Sequence, residues 1–231
     1  MRARIKFLVN DNFKFRKHLN QAVTAYIYRC ISLSDLEYAD NLHNNGIKSS
    51  GYKKFNYHTF ALMQNDKLVT DGLDKGIAEL IYSSAKKESI FHFLNGLCKI
   101  GKIQLLSHSF NIVNIKKEND TELTEGIFRI LSPIHMQNQE KTLDSSEMTE
   151  YLANNLLIKY NILYNKLPEN LDIQIKLLNA QKCEVKFKSS NMVSYIGNIA
   201  IKADKDIIKL AYDAGVGSKT GCGLGLIEKL K

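Results

Sequence analysis

The spacing of hydrophobic and polar positions changes several times along the chain, and each change predicts an element. Residues 3–9 place apolar Ile5, Phe7, Leu8 and Val9 around a single Lys6, which predicts a strand. From Leu19, the positions Ala22, Val23, Tyr26 and Cys30 recur at three and four, the signature of a helix with one buried stripe. Ser34-Asp-Leu-Glu37 reads as a capping box that opens a second, short helix, and Asn44-Asn45-Gly46 as its stop. Strand-like runs follow at 55–63 and 77–82, then a helix at 87–97 and strands through 102–115. The polar, acidic stretch 116–125 reads as a linker or exposed turn, after which the order repeats. It gives a strand at 126–134, a helix to 163 capped by Asp144-Ser-Ser-Glu147, strands at 171–178, 183–188 and 194–202, a helix from 204 to about Gly215, and a last strand at 224–227. Two rounds of strand, helix, strand, strand, helix, strand predict an α+β fold of two tandem ferredoxin-like (RRM-like) domains, 1–120 and 121–231.

Composition narrows the class. At 231 residues, 44% apolar and 24% charged, with only 2 prolines, the chain is long enough for one large or two small packed domains and is neither disordered nor low-complexity. No apolar run approaches the roughly 18 residues that span a bilayer, which gives the expectation of a soluble, cytoplasmic protein with no membrane partner. The cysteines at 30, 98, 183 and 222 form no C-x-x-C pair, and three sit in apolar surroundings, so reduced core thiols are expected and neither a zinc site nor a cofactor. The net charge of +8 is uneven. Residues 1–60 carry 10 basic and 4 acidic side chains and 181–231 carry 9 and 5, whereas 121–180 carry 5 and 8. If the two ends of the chain meet, they form one basic face suited to a phosphate backbone.

The most unusual segment is Gly215-Val-Gly-Ser-Lys-Thr-Gly-Cys-Gly-Leu-Gly225, with five of the 13 glycines in eleven residues. It is not a P-loop, because Ser218 rather than Gly precedes Lys219 and too little chain follows for the required helix. It is not a dinucleotide fingerprint either, because Thr220 stands at the third glycine position and no strand leads into Gly215. A glycine loop after a helix remains, and both phosphate contact and a purely structural turn are open to it by composition.

The pattern of Gly215, Gly217, Gly223 and Gly225, each pair split by one apolar residue, resembles the signature of the CRISPR-associated endoribonucleases that cut precursor CRISPR RNA within its repeats. Leu131-Ser-Pro-Ile134 resembles that family's strand at the start of its second domain. Leu42-His43 followed by Gly46 resembles its catalytic-histidine segment, and Phe55-Asn-Tyr-His-Thr-Phe-Ala61 the aromatic strand that comes next. The resemblance implies two ferredoxin-like domains and metal-independent cleavage, in which the 2′-hydroxyl attacks the phosphate to leave a 2′,3′-cyclic phosphate and a 5′-hydroxyl. It implies CRISPR repeat RNA as the partner, and leaves open a homodimer, an effector complex, and a non-catalytic RNA-binding subunit with the same fold.

Carried over residue by residue, the resemblance assigns His43 as the acid/base group and Tyr28 as its active-site neighbour. A helical wheel separately puts Tyr28 about 200° from Tyr26 and away from the buried stripe. Lys48 and Lys53 are the expected stabilisers of the phosphate's developing charge. Lys54, Gly215, Gly217, Lys219, Gly223 and Gly225 are the expected RNA-binding residues. His58 is the rival to His43. His92 reads as packed and hydrogen-bonded, and His18, His108 and His135 as lacking partners.

Overall fold

The computed structural model describes residues 1–14, 19–45, 47–48, 54–69, 71–118, 123–136, 145–187 and 190–230. Its first half is built from β1 (Arg2–Val9), α1 (Leu19–Ser34), α2 (Leu36–Asp40), β2 (His58–Gln64), β3 (Gly76–Ser84), α3 (Lys87–Ile100), β4 (Lys102–Leu105) and β5 (His108–Glu118). These strands form an antiparallel sheet in the order β2-β3-β1-β5-β4, with the short strand Lys67–Leu68 outside β2. Odd positions of β1 (Ala3, Ile5, Phe7, Val9) are fully buried, as the alternation predicts, and α1 packs beside α3 in the same core.

The second half repeats the plan with β6 (Gly126–Ile130), α4 (Ser145–Tyr164), β7 (Gln174–Phe187), β8 (Ser190–Lys202), α5 (Lys205–Ala214) and β9 (Ile227–Lys229). Its sheet runs β7-β8-β6-β9, with Ile134–His135 also paired to β8. The two sheets therefore fall within residues 2–118 and 126–229, each with the strand order of a ferredoxin-like unit.

Several local expectations need correction. The cap of α2 is Asp35, whose carboxylate accepts the N–H of Tyr38 at 2.8 Å, because Ser34 still belongs to α1 and its hydroxyl is engaged with His92 Nδ1 at 3.0 Å. The two strands expected at 171–178 and 183–188 are one strand, β7. The break in pattern is a bulge between Leu178 and Gln181, opposite Gly197, rather than a turn. Only Cys30 is buried; Cys98 is exposed, and Cys183 and Cys222 are half-buried. The His108 ring lies tilted against Phe13, centroids 3.7 Å apart, and His135 Nδ1 bonds the Val193 carbonyl at 2.8 Å, so neither lacks a partner. His18 and Asp144 lie outside the described residues. No described helix is long and apolar enough to cross a membrane.

The halves dock with the outer face of the first sheet against α5, β9 and the glycine-rich loop. Arg2, 1% exposed, donates 2.9 Å hydrogen bonds to the carbonyls of Tyr212 and Ile227, and its guanidinium lies 3.7 Å from the Tyr212 ring. Arg4 pairs with Glu79 and Glu118 of its own sheet and with Glu228 of β9. Ala61, Met63 and Ile81 from one half meet Leu131 and Leu226 from the other in a small separate core. The chain's ends do meet, but Arg2 and Arg4 are consumed inside the joint rather than added to a basic face.

Candidate functional site

On α1, Asn20, Thr24 and Tyr28 recur every four residues and share one face. That face looks at the glycine-rich loop: the Asn20 amide donates to the Cys222 carbonyl at 3.1 Å, and the Thr24 hydroxyl donates back to the Asn20 carbonyl at 2.7 Å. Tyr28 is half-buried, and burial, with Cys222 alongside as a smaller cause, pushes its phenol up to about 12. It is a neutral O–H donor at physiological pH.

His43 sits in the π-helical turn Asn41–Asn45 that continues α2, with its side chain exposed. Its ring meets Tyr28 edge to face, centroids 5.2 Å apart and planes at 83°. Tyr28 also meets the ring of His58 edge to face, centroids 6.0 Å apart. That residue is 1% exposed, its Nδ1 has no hydrogen-bond partner among the described residues, and burial drives its pKa down to about 4. The two histidines thus share one tyrosine as a ring contact, one of them exposed and the other sealed and neutral.

Lys48 falls in the short strand Ile47–Lys48, whose backbone pairs with Lys54–Phe55. This ladder leads from the His43 turn towards β2 through Asn56, and α4 of the second half lies beside it. Lys53 lies outside the described residues.

Gly215, Gly217, Gly223 and Gly225 are all buried with φ between +75° and +82°. A Cβ on Gly225 would stand 2.0 Å from the Val216 carbonyl oxygen, and one on Gly223 would stand 2.4 Å from the Phe60 ring. The loop is a close-packed plug. Val216 N–H donates to Gly225 O, Gly225 N–H to Pro133 O, Ser218 N–H to His135 O and Gly223 N–H to Thr220 O. The Thr59 hydroxyl donates to the Leu224 carbonyl at 2.8 Å, and the Thr220 hydroxyl to the Asn56 carbonyl at 3.3 Å. Lys219, with φ +57°, is the exposed residue at the crest of this arc.

Beside the loop, sharing Asn20 with it, a cleft of about 740 Å³ opens between the halves. Lys67, Arg129 and Lys186 line it, and the Arg129 guanidinium also bonds the Asp66 carbonyl.

The family model described as CRISPR associated protein Cas6, C-terminal, matches residues 116–229. Over 244 aligned positions the chain is 30% identical to the CRISPR-associated endoribonuclease Cas6 1 of Methanocaldococcus jannaschii, covering 97% of this chain and 91% of that protein. The chain belongs to the Cas6 family. Among solved structures, one described as CRISPR associated protein Cas6 superposes with a TM-score of 0.78 at 23% identity, covering 100% of this chain and 99% of that one. A second, described as a RAMP protein binding different RNA substrates, gives 0.81 at 20% identity with both chains fully covered. The two ferredoxin-like domains read from the hydrophobic pattern are the Cas6 fold. Sequence reasoning missed Lys67, Arg129 and Lys186, which converge only in three dimensions. It also passed over Lys159, although a lysine three residues after Leu156 and seven after Leu152 interrupts the buried stripe of α4.

Proposed function

We propose that this Cas6 chain processes CRISPR precursor RNA, cutting within the repeats by metal-independent transesterification. The substrate's own 2′-hydroxyl attacks the adjacent phosphate. As the 2′-O–P bond forms, the 2′ proton is lost to solvent, the P–O5′ bond breaks, and a proton is delivered to the leaving 5′-oxygen. His43, protonated, is the donor to that oxygen. Tyr28, held neutral by burial, donates a hydrogen bond to a non-bridging oxygen, and Lys48 and Lys53 stabilise the charge that develops on the phosphorane. A positioned acid of this kind contributes about 10² to 10⁴ in rate.

The observation that carries this reading is the edge-to-face contact at 5.2 Å between exposed His43 and half-buried Tyr28, on the helix face that also holds Cys222 of the glycine-rich loop. An imidazole from the first half and the loop from the second converge at one solvent-open place. RNA then runs from this place along the cleft lined by Lys67, Arg129 and Lys186. Lys219 and Lys54 take backbone phosphates, and the four buried glycines contribute by setting the loop's shape. We assign the catalytic half to residues 1–120 and the loop-bearing half to 121–231.

Cleavage of a CRISPR repeat RNA by the wild-type chain and by His43→Ala tests the assignment. The variant should lose at least about a hundredfold in single-turnover rate while its RNA affinity survives. Equal rates in the two proteins would reject it.

A further inference from the structure

Lys159 is a buried lysine that the chemistry above does not use. It projects from α4 with 5% exposure, and its Nζ donates to the Gly215 carbonyl at 3.0 Å and to the Gly217 carbonyl at 2.7 Å. A lysine this deep is ordinarily paired with a carboxylate, yet here two main-chain carbonyls are its partners and burial alone depresses its pKa to about 7. An apolar side chain of the same volume would fill the position at lower desolvation cost. What the amine adds is direction. It ties both carbonyls of the Gly-Val-Gly step to one helix position, where the Val216 N–H is already committed to Gly225 O and the Ser218 N–H to His135 O.

Two turns earlier on the same face, the Tyr151 hydroxyl hydrogen-bonds the Ser218 hydroxyl. Both residues grip the arc immediately before Lys219, which is exposed and sits at a left-handed φ that an unrestrained lysine rarely holds. We infer that Lys159 is a positioning residue for RNA binding, acting through the loop to hold Lys219 at a substrate phosphate. The inference rests on the RNA-processing reading above and adds to it a residue outside the reaction centre.

The test is a mutant cycle on the full chain, with an RNA carrying CRISPR repeats from the same genome as probe. Affinity is measured in the His43→Ala background and single-turnover cleavage at saturating RNA in the His43 background. Lys159→Met should weaken binding about tenfold, the cost of leaving buried carbonyls without a donor, while the saturated rate stays within about twofold. Lys159→Arg, which keeps a cationic donor, should restore most of the affinity. Combining Lys159→Met with Lys219→Ala should be no weaker than Lys219→Ala alone, because one residue acts through the other. If Lys159→Met does not fold, Tyr151→Phe carries the same cycle, with a loss of about threefold that is likewise absorbed by Lys219→Ala. Unchanged affinity in these variants, or losses that multiply with Lys219→Ala, would overturn the inference while leaving the nuclease reading intact. A wild-type chain that neither binds nor cuts the RNA would remove both.

Discussion

His43 and His58 both meet the Tyr28 ring edge to face, one exposed and the other buried. Sealed at 1% exposure, with no hydrogen-bond partner for Nδ1 among the described residues, His58 has a folded pKa near 4, below the value of about 6.5 it takes in an unfolded chain. The unfolded state therefore binds more protons between those two pH values. His58 contributes stability above about pH 6.5 that is lost as pH falls through 4, by up to about 3 kcal/mol. Urea denaturation at pH 7 and pH 4.5 should show a steeper loss in wild type than in His58→Leu, and parallel losses would contradict it. Tyr28→Phe removes only the hydroxyl and should lower the cleavage rate by about tenfold or more, with the fold intact by circular dichroism; full activity would exclude a role for that O–H. That Tyr28 stands off the fully buried stripe of α1 was legible in the sequence, because a helix fixes which face each residue takes. The fate of His58 was not. Strand alternation distinguishes inside from outside only when one face of a sheet is wet, and every residue of β2 is buried because the second half covers its outer face.

At the level of elements, the glycine-rich loop shows how composition can name a segment without naming its use. Glycine density signalled close backbone approach. It gave no sign that the approach is to Val216, Phe60 and His135 of the protein itself. Gly101, at φ +71° with open space around it, isolates the conformational part of such a requirement; Gly225, at φ +75°, adds a steric one. Gly101→Ala should cost about 1 kcal/mol, and Gly225→Ala well over twice that with loss of the docked loop. Thermal denaturation of the two variants side by side decides this, and equal costs would mean the loop is not close-packed. Helix and strand types were read from periodicity almost throughout, whereas boundaries failed where a local competitor intervened. Asp35 outcompetes Ser34 as a cap because α1 carries on through Ser34, and the bulge at Leu178 to Gln181 mimics a turn because it interrupts the alternation without ending the strand.

Over the whole molecule, the tandem architecture was readable because each half repeats one order of elements. The joint between halves was not, since it depends on contacts between groups from 50 to more than 200 residues apart in the chain. Arg2, which links β1 to the Tyr212 and Ile227 carbonyls, is the clearest case: its charge counted towards a basic surface in the sequence and is spent internally in the fold. Arg2→Met should destabilise the protein by about 2 to 4 kcal/mol by leaving those carbonyls without a donor, measured by chemical denaturation. RNA affinity should fall with salt by about 0.7 log units per phosphate neutralised for each tenfold increase, and a flat salt profile would rule out the cleft lined by Lys67, Arg129 and Lys186 as the RNA path. The central claim is that the substrate's own 2′-hydroxyl does the cutting, with side chains alone supplying acid and positive charge. Incubating the chain with CRISPR repeat RNA in EDTA and analysing the ends tests it most directly. The account predicts undiminished cleavage that leaves a 2′,3′-cyclic phosphate and a 5′-hydroxyl; a requirement for divalent metal, or a 5′-phosphate on the product, would contradict it.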